Sequence, residues 1–194
     1  LIFIAWGAKQ VTAPIEILEQ KPVSLEYSNL VAYSFRTLLR MLIAVIASLI
    51  FTFFYATIAA KNKKCEQILI PLLDILQSLP ILGYISFTVT AFLALFPASV
   101  MGAECAAIFA IFTSQVWNMT FSFYSALKNV PQELHEAAYI FKMSKWRQFW
   151  QVSVPYAIPG LVWNMVISIS SGWFFVVASE VITVGNSRIT LPGI

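Results

Sequence analysis

The stretch "PQELHEAAYIFKMSKWRQFW", Pro131 to Trp150, is polar, basic and rich in helix formers, and the sequence on both sides of it is long, apolar and almost uncharged. Pro131 suits the first turn of a helix, where its missing N–H leaves no bond unmade. "QELHEAAYIF" then carries Glu, Leu, Ala and Gln, all strong helix formers. Ser144 is placed to cap a second short helix, "KWRQFWQV". Between the two lies Lys142–Met143, a corner. The stretch is therefore predicted to form two short helices at an angle. Its apolar residues Leu134, Ala138, Phe141, Trp146, Phe149 and Trp150 are too many for a freely solvated loop, so they require the bilayer surface or another protein.

The flanking sequence defines the setting. Of 194 residues, 59% are hydrophobic and 11% charged, where soluble domains carry about 25% charged residues. Mean hydropathy is +0.79. These values predict an all-α integral membrane protein, and a net charge of +3 is too small to imply nucleic acid as a partner. "MLIAVIASLIFTFFYATIAA" (41–60) has no charge and is long enough to cross a hydrocarbon core of about 30 Å. Further spans are predicted at about 75–96, 105–127 and 156–182, with a break around Ser78–Pro80 where prolines interrupt the helix. A compact basic loop, "KNKKCEQ", follows the first of them.

Residues 1–8 read as the tail of an earlier span, and residues 9–34 as an extracytoplasmic connector. The domain division is thus 1–34 and a core at 35–194, with the polar insert at 128–150, and the chain reads as a fragment of a longer one. Lys61, Lys63, Lys64, Lys128, Lys142, Lys145 and Arg147 fall on one side of the alternating spans, and Lys9, Lys21, Arg36, Arg40 and Arg188 on the other. The excess makes the insert cytoplasmic. It puts Cys65 and Cys105 on opposite sides, which excludes a disulfide between them.

The order "HEAAYIFKMSKWRQFWQVSVPYAIPG" resembles the EAA loop of the permease subunits of bacterial ATP-binding-cassette importers. Glu136, Ala137, Ala138, Val152, Val154 and Pro155 fall on the motif's positions, and Lys142 stands where the motif has glycine. "SFRTLLRMLIAVIASL", "ILIPLLDILQSLPILGY" and "WNMTFSFYSALKNVPQELHEAA" are similar to core segments of nitrate, sulfonate and taurine importer permeases. The resemblance implies a type I importer permease bundle in the bacterial inner membrane, with Glu136, Ala137, Ala138, Lys142 and Pro155 coupling it to a separate cytoplasmic ATPase. It implies a second permease module and an extracytoplasmic binding protein as partners, and a small anion as cargo. No phosphate-binding loop of the G-x-x-x-x-G-K-[ST] type occurs in the sequence, so ATP hydrolysis falls to the partner.

Other chemistry is poorly supported. "HEAAY" approaches the zinc motif H-E-x-x-H, but Tyr139 occupies the second histidine position and His135 is the sole histidine. No cofactor, metal or catalytic residue is expected. A channel or a secondary transporter without an ATPase is the alternative, and Asp74, Glu104 and Glu180 are its candidate acids, all near span ends where they would reach water. Ser114, Gln115, Asn118, Ser122 and Ser125 share one arc of the third span, and Asn164, Ser168, Ser171 and Ser179 form a stripe on the fourth. Lipid would leave such groups unsatisfied. Of these, Gln115, Asn118, Ser122, Asn164 and Ser168 are the candidates for a translocation path, with helix packing as the plainer role.

Overall fold

The computed structural model describes residues 27–96, 100–184 and 187–190. The predicted tail of a span at 1–8, and the connector as far as residue 26, lie outside the described residues. The described chain forms helices α1 (Tyr27–Lys61), α2 (Lys63–Ser78), α3 (Ile81–Leu95), α4 (Val100–Lys128), α5 (Gln132–Ile140), α6 (Lys145–Gln148) and α7 (Val154–Glu180). A π-helical turn, Phe149–Ser153, joins α6 to α7. Strands β1 (Val181–Val184) and β2 (Ser187–Thr190) pair antiparallel, Val181 opposite Thr190. β1 thus takes in Val181 and Ile182, the last two residues of the span predicted at 156–182.

Two helical stretches among the described residues, Asn29–Lys61 and Lys145–Val177, are long and apolar enough to cross a membrane. They contain the predicted first span and the predicted last span as far as Val177. The predicted span at 75–96 is divided: α2 ends at Ser78, Pro80 is extended (φ −66°, ψ 119°), and α3 follows with 15 residues, about 22 Å of helix. The predicted basic loop is almost wholly helical instead. Asn62 alone interrupts it, its Oδ1 accepting the Lys64 N–H at 3.0 Å to cap α2.

The chain divides into two compact units. Among the described residues the first comprises 27–46, 79–96, 100–114, 171–184 and 187–190. Here α3 packs on α4 through Gly102, where a Cβ would stand 2.9 Å from the Phe92 carbonyl oxygen, so only glycine permits the approach. Ala103, Ala106, Ala107 and Ala110 are buried around it. Arg40 on α1 and Glu104 on α4 form a buried ion pair, Nε to Oε2 at 2.5 Å and Nη2 to Oε1 at 2.8 Å. Glu104 was expected to reach water at a span end. It is buried because Arg40 supplies the fork that a desolvated carboxylate requires.

The second unit comprises residues 47–78 and 115–170. Its core gathers Ala56, Met119, Phe123, Val154, Ala157 and Leu161 from α1, α4 and α7. Ser48, Thr52, Ala56 and Ala59 line one face of α1 and are fully buried. Small residues at this spacing let helix backbones approach closely. The Thr52 and Thr120 hydroxyls meet at 3.0 Å between α1 and α4. All ten residues singled out from the sequence for coupling or passage fall in this unit.

Candidate functional site: a two-helix corner and a polar helix face

The two-helix corner forms as a helix-terminating turn with reversed backbone. The Met143 N–H donates to the Ala138 carbonyl at 3.0 Å and the Lys142 N–H to the Tyr139 carbonyl at 2.9 Å. This is the Schellman pattern, which requires a left-handed residue between the bonds. Lys142 takes that position with φ 51°, the one non-glycine at positive φ among the described residues. The corner therefore has the geometry expected of glycine at the cost of a strained lysine, about 1 kcal/mol. Ser144 caps α6, its Oγ accepting the Arg147 N–H at 3.4 Å. The second helix does not stand alone as the sequence suggested. It runs through the π turn directly into α7, with Pro155 as the second residue of α7. Pro155 has no N–H to give an α-helical bond, and the wider turn is placed just before it.

Two contacts brace this corner, and a third fastens the helices that lead to it. The side chains of His135 and Gln148 meet at 2.7 Å across the bend. Lys61, the last residue of α1, sets its ammonium 3.8 Å from the Phe149 ring centroid and 6.0 Å from that of Trp146, a cation–π contact. Glu66 on α2 accepts from the Tyr124 hydroxyl at 2.5 Å and pairs with Lys128 at 2.9 Å, tying α2 to the end of α4. These bonds, Tyr124 first and Lys128 second, hold the Glu66 carboxyl below the usual carboxylate range.

The motif residues divide by exposure. Ala138 is buried and Ala137 half-buried, while Glu136 is exposed and accepts only from Gln132 one turn away, at 3.1 Å. Lys142 and Pro155 are exposed. Beside them Tyr139, Ile140 and Phe141 are 85%, 75% and 77% accessible, an apolar edge that nothing in the described chain covers.

The polar face is only partly brought together. Asn164 Nδ2 donates to Ser122 Oγ at 2.9 Å and to the Gly160 carbonyl at 3.1 Å, and Ser122 Oγ donates to that carbonyl at 3.2 Å. Ser122 and Asn164 thus form one knot between α4 and α7. Gln115 and Ser168 are fully buried, whereas Asn118 is exposed. The reading from sequence did not single out Thr52 or Glu66, and it gave Lys61 only a place among the cations on one side of the spans. The spacing of Ser48, Thr52 and Ala56 carried a signal for the first. Glu66 and Tyr124, 58 positions apart, carried none.

Among the described residues, two helical stretches are long and apolar enough to cross a membrane, and the second is entered through the exposed two-helix corner. Residues 53–191 match the family described as binding-protein-dependent transport system inner membrane component, and the chain belongs to this family of ATP-binding-cassette importer permeases. It is 25% identical over 193 residues to the nitrate import permease protein NrtB of Synechocystis sp., covering 95% of this chain and 67% of the relative. It is 29% identical over 119 residues to the NrtB of Leptolyngbya laminosa, covering 61% of this chain and 40% of the relative. The bicarbonate transport system permease protein CmpB of Synechococcus elongatus is 27% identical over 124 residues, 64% of this chain and 42% of that one. The chain thus spans between two fifths and two thirds of the length of these relatives. A solved structure described as an amino acid ABC transporter with histidines shares the fold, with a TM-score of 0.59 over 78% of this chain and 72% of that one at 15% identity.

Proposed function

We propose that the chain is the permease component of an ATP-driven importer in a bacterial inner membrane, and that α5 and α6 couple it to a cytoplasmic ATPase. The observation that carries this reading is the corner itself. Its bend is rigidly specified by the Lys142 turn and the His135–Gln148 brace, yet it leaves Glu136, Tyr139, Ile140 and Phe141 exposed. An exposed apolar edge on a braced helix is a docking surface. Because α6 runs without interruption into α7, a displacement of the corner is transmitted to that helix.

In this reading residues 35–194 are the permease core, joined by a second permease module and served by an extracytoplasmic binding protein. ATP is hydrolysed by the partner. The cargo is a small anion, by analogy with relatives named for nitrate and bicarbonate. Gln115, Asn118, Ser122, Asn164 and Ser168 contribute to the passage in different ways. The Ser122–Asn164 knot holds α4 to α7, and Asn118, exposed on the polar face of α4, meets the cavity or the second module.

The test uses the full-length protein with its ATPase. Ala137→Trp should insert and fold but fail to retain the ATPase on purification. Asn118→Leu should retain it with an unchanged thermal midpoint, and change the transport rate or the choice of anion. ATPase retention by Ala137→Trp would remove the coupling role from α5. Transport driven by an ion gradient with no ATPase present would replace the reading by a secondary transporter.

A further inference from the structure

We propose that the surface where the end of α1 meets the start of α6 binds the headgroup of an anionic phospholipid. The two helices long enough to cross a membrane have their charged ends here: one ends at Lys61 and the other begins at Lys145. The contact of Lys61 with the Phe149 and Trp146 rings brings those two ends to the same place. This surface therefore lies at one membrane boundary.

Its chemistry is of two kinds side by side. Trp146 and Trp150 stack edge to face at 5.7 Å, and both are exposed, Trp146 by 66%. Lys145 and Arg147 flank Trp146 and are exposed, and Lys63 and Lys64, also exposed, follow Lys61 after one residue. The nearest acid in sequence, Glu66, is already engaged by Tyr124 and Lys128, and Glu133 and Glu136 belong to α5. The cations are thus in excess. Indole rings prefer the headgroup level, where one part meets hydrocarbon and the other water. Basic side chains beside a span attract anionic lipid, by about fivefold for each. A free phosphate would satisfy the cations and leave both indoles in water. A phospholipid with a net negative headgroup meets both needs. The proposal requires only that the helices span a bilayer, and it goes beyond the coupling role.

The experiment places the full-length protein in nanodiscs of phosphatidylcholine carrying a minor fraction of either brominated phosphatidylglycerol or brominated phosphatidylcholine. The fluorescence of Trp146 and Trp150 is obtained by difference from Trp146→Phe/Trp150→Phe. We expect brominated phosphatidylglycerol to quench it severalfold more effectively than brominated phosphatidylcholine. Lys61→Gln/Lys145→Gln/Arg147→Gln should bring the ratio close to one, and Lys61→Arg/Lys145→Arg should keep it. Inorganic phosphate should relieve quenching no more than chloride at equal ionic strength. Equal quenching by the two lipids in the parent protein would overturn the proposal, as would a preference that survives in the triple variant. Specific relief by inorganic phosphate would overturn it too, by making the site one for a free anion. No ATPase is present, so either result leaves the coupling role untouched.

Discussion

Arg40 and Glu104, 64 positions apart, meet as a two-bonded ion pair with side chains only 3% and 9% accessible. A buried pair of this kind adds little stability compared with apolar residues of the same size, but losing one member costs about 3–5 kcal/mol because the other is left charged and desolvated. The two members are not equivalent here. Arg36, also buried, lies within electrostatic reach of Glu104. Glu104→Gln removes a carboxylate that serves both Arg40 and Arg36, whereas Arg40→Gln leaves Glu104 still facing Arg36. Thermal unfolding of the purified protein should show a larger loss for Glu104→Gln than for Arg40→Gln. Equal losses would mean that Arg36 takes no part.

The clamp at Glu66 should fail in acid. Tyr124 and then Lys128 stabilise its ionised form, so its folded pKa lies below the ordinary 4.5. A depressed carboxylate contributes stability that is present above its unfolded pKa and disappears as pH falls through its folded pKa. The loss should therefore begin near pH 4.5 and be completed below it. Thermal midpoints measured across this range should fall more steeply in the parent protein than in Glu66→Gln. Parallel profiles would show that the clamp contributes nothing.

Lys142 bears a conformation that favours glycine. Lys142→Gly should raise stability by up to about 1 kcal/mol, and a β-branched residue, Lys142→Val, should lower it. Differential scanning calorimetry of the three proteins should give the order Gly, Lys, Val. Destabilisation by glycine would show that the lysine side chain makes up for its backbone strain.

Local signals account for what the sequence made legible. Pro131, Ser144 and the break before Pro80 each act within one helical turn, and each marks an element boundary close to the one observed. The left-handed corner was legible as a position, because the motif resemblance aligned Lys142 with a glycine. Long-range partners were not. Nothing near Glu104 signals Arg40, and periodicity alone treats Asn118 and Asn164 alike although one is exposed and the other is hydrogen-bonded to Ser122. The π turn was hidden for a different reason. It depends on how α6 is held by Lys61 and His135 as much as on Pro155.

The proposed coupling role is tested most directly at Glu136. Among the described residues its carboxylate accepts from exposed Gln132 at 3.1 Å, an i,i+4 contact worth only about 0.2–0.5 kcal/mol. Glu136→Lys should therefore leave the thermal midpoint and membrane insertion close to those of the parent. The deciding measurement is anion uptake and ATP hydrolysis, taken together, in proteoliposomes holding the full permease with its ATPase. Uptake should fall at least tenfold in Glu136→Lys, with hydrolysis either lost or running without transport. Parental uptake per hydrolysed ATP would contradict the account.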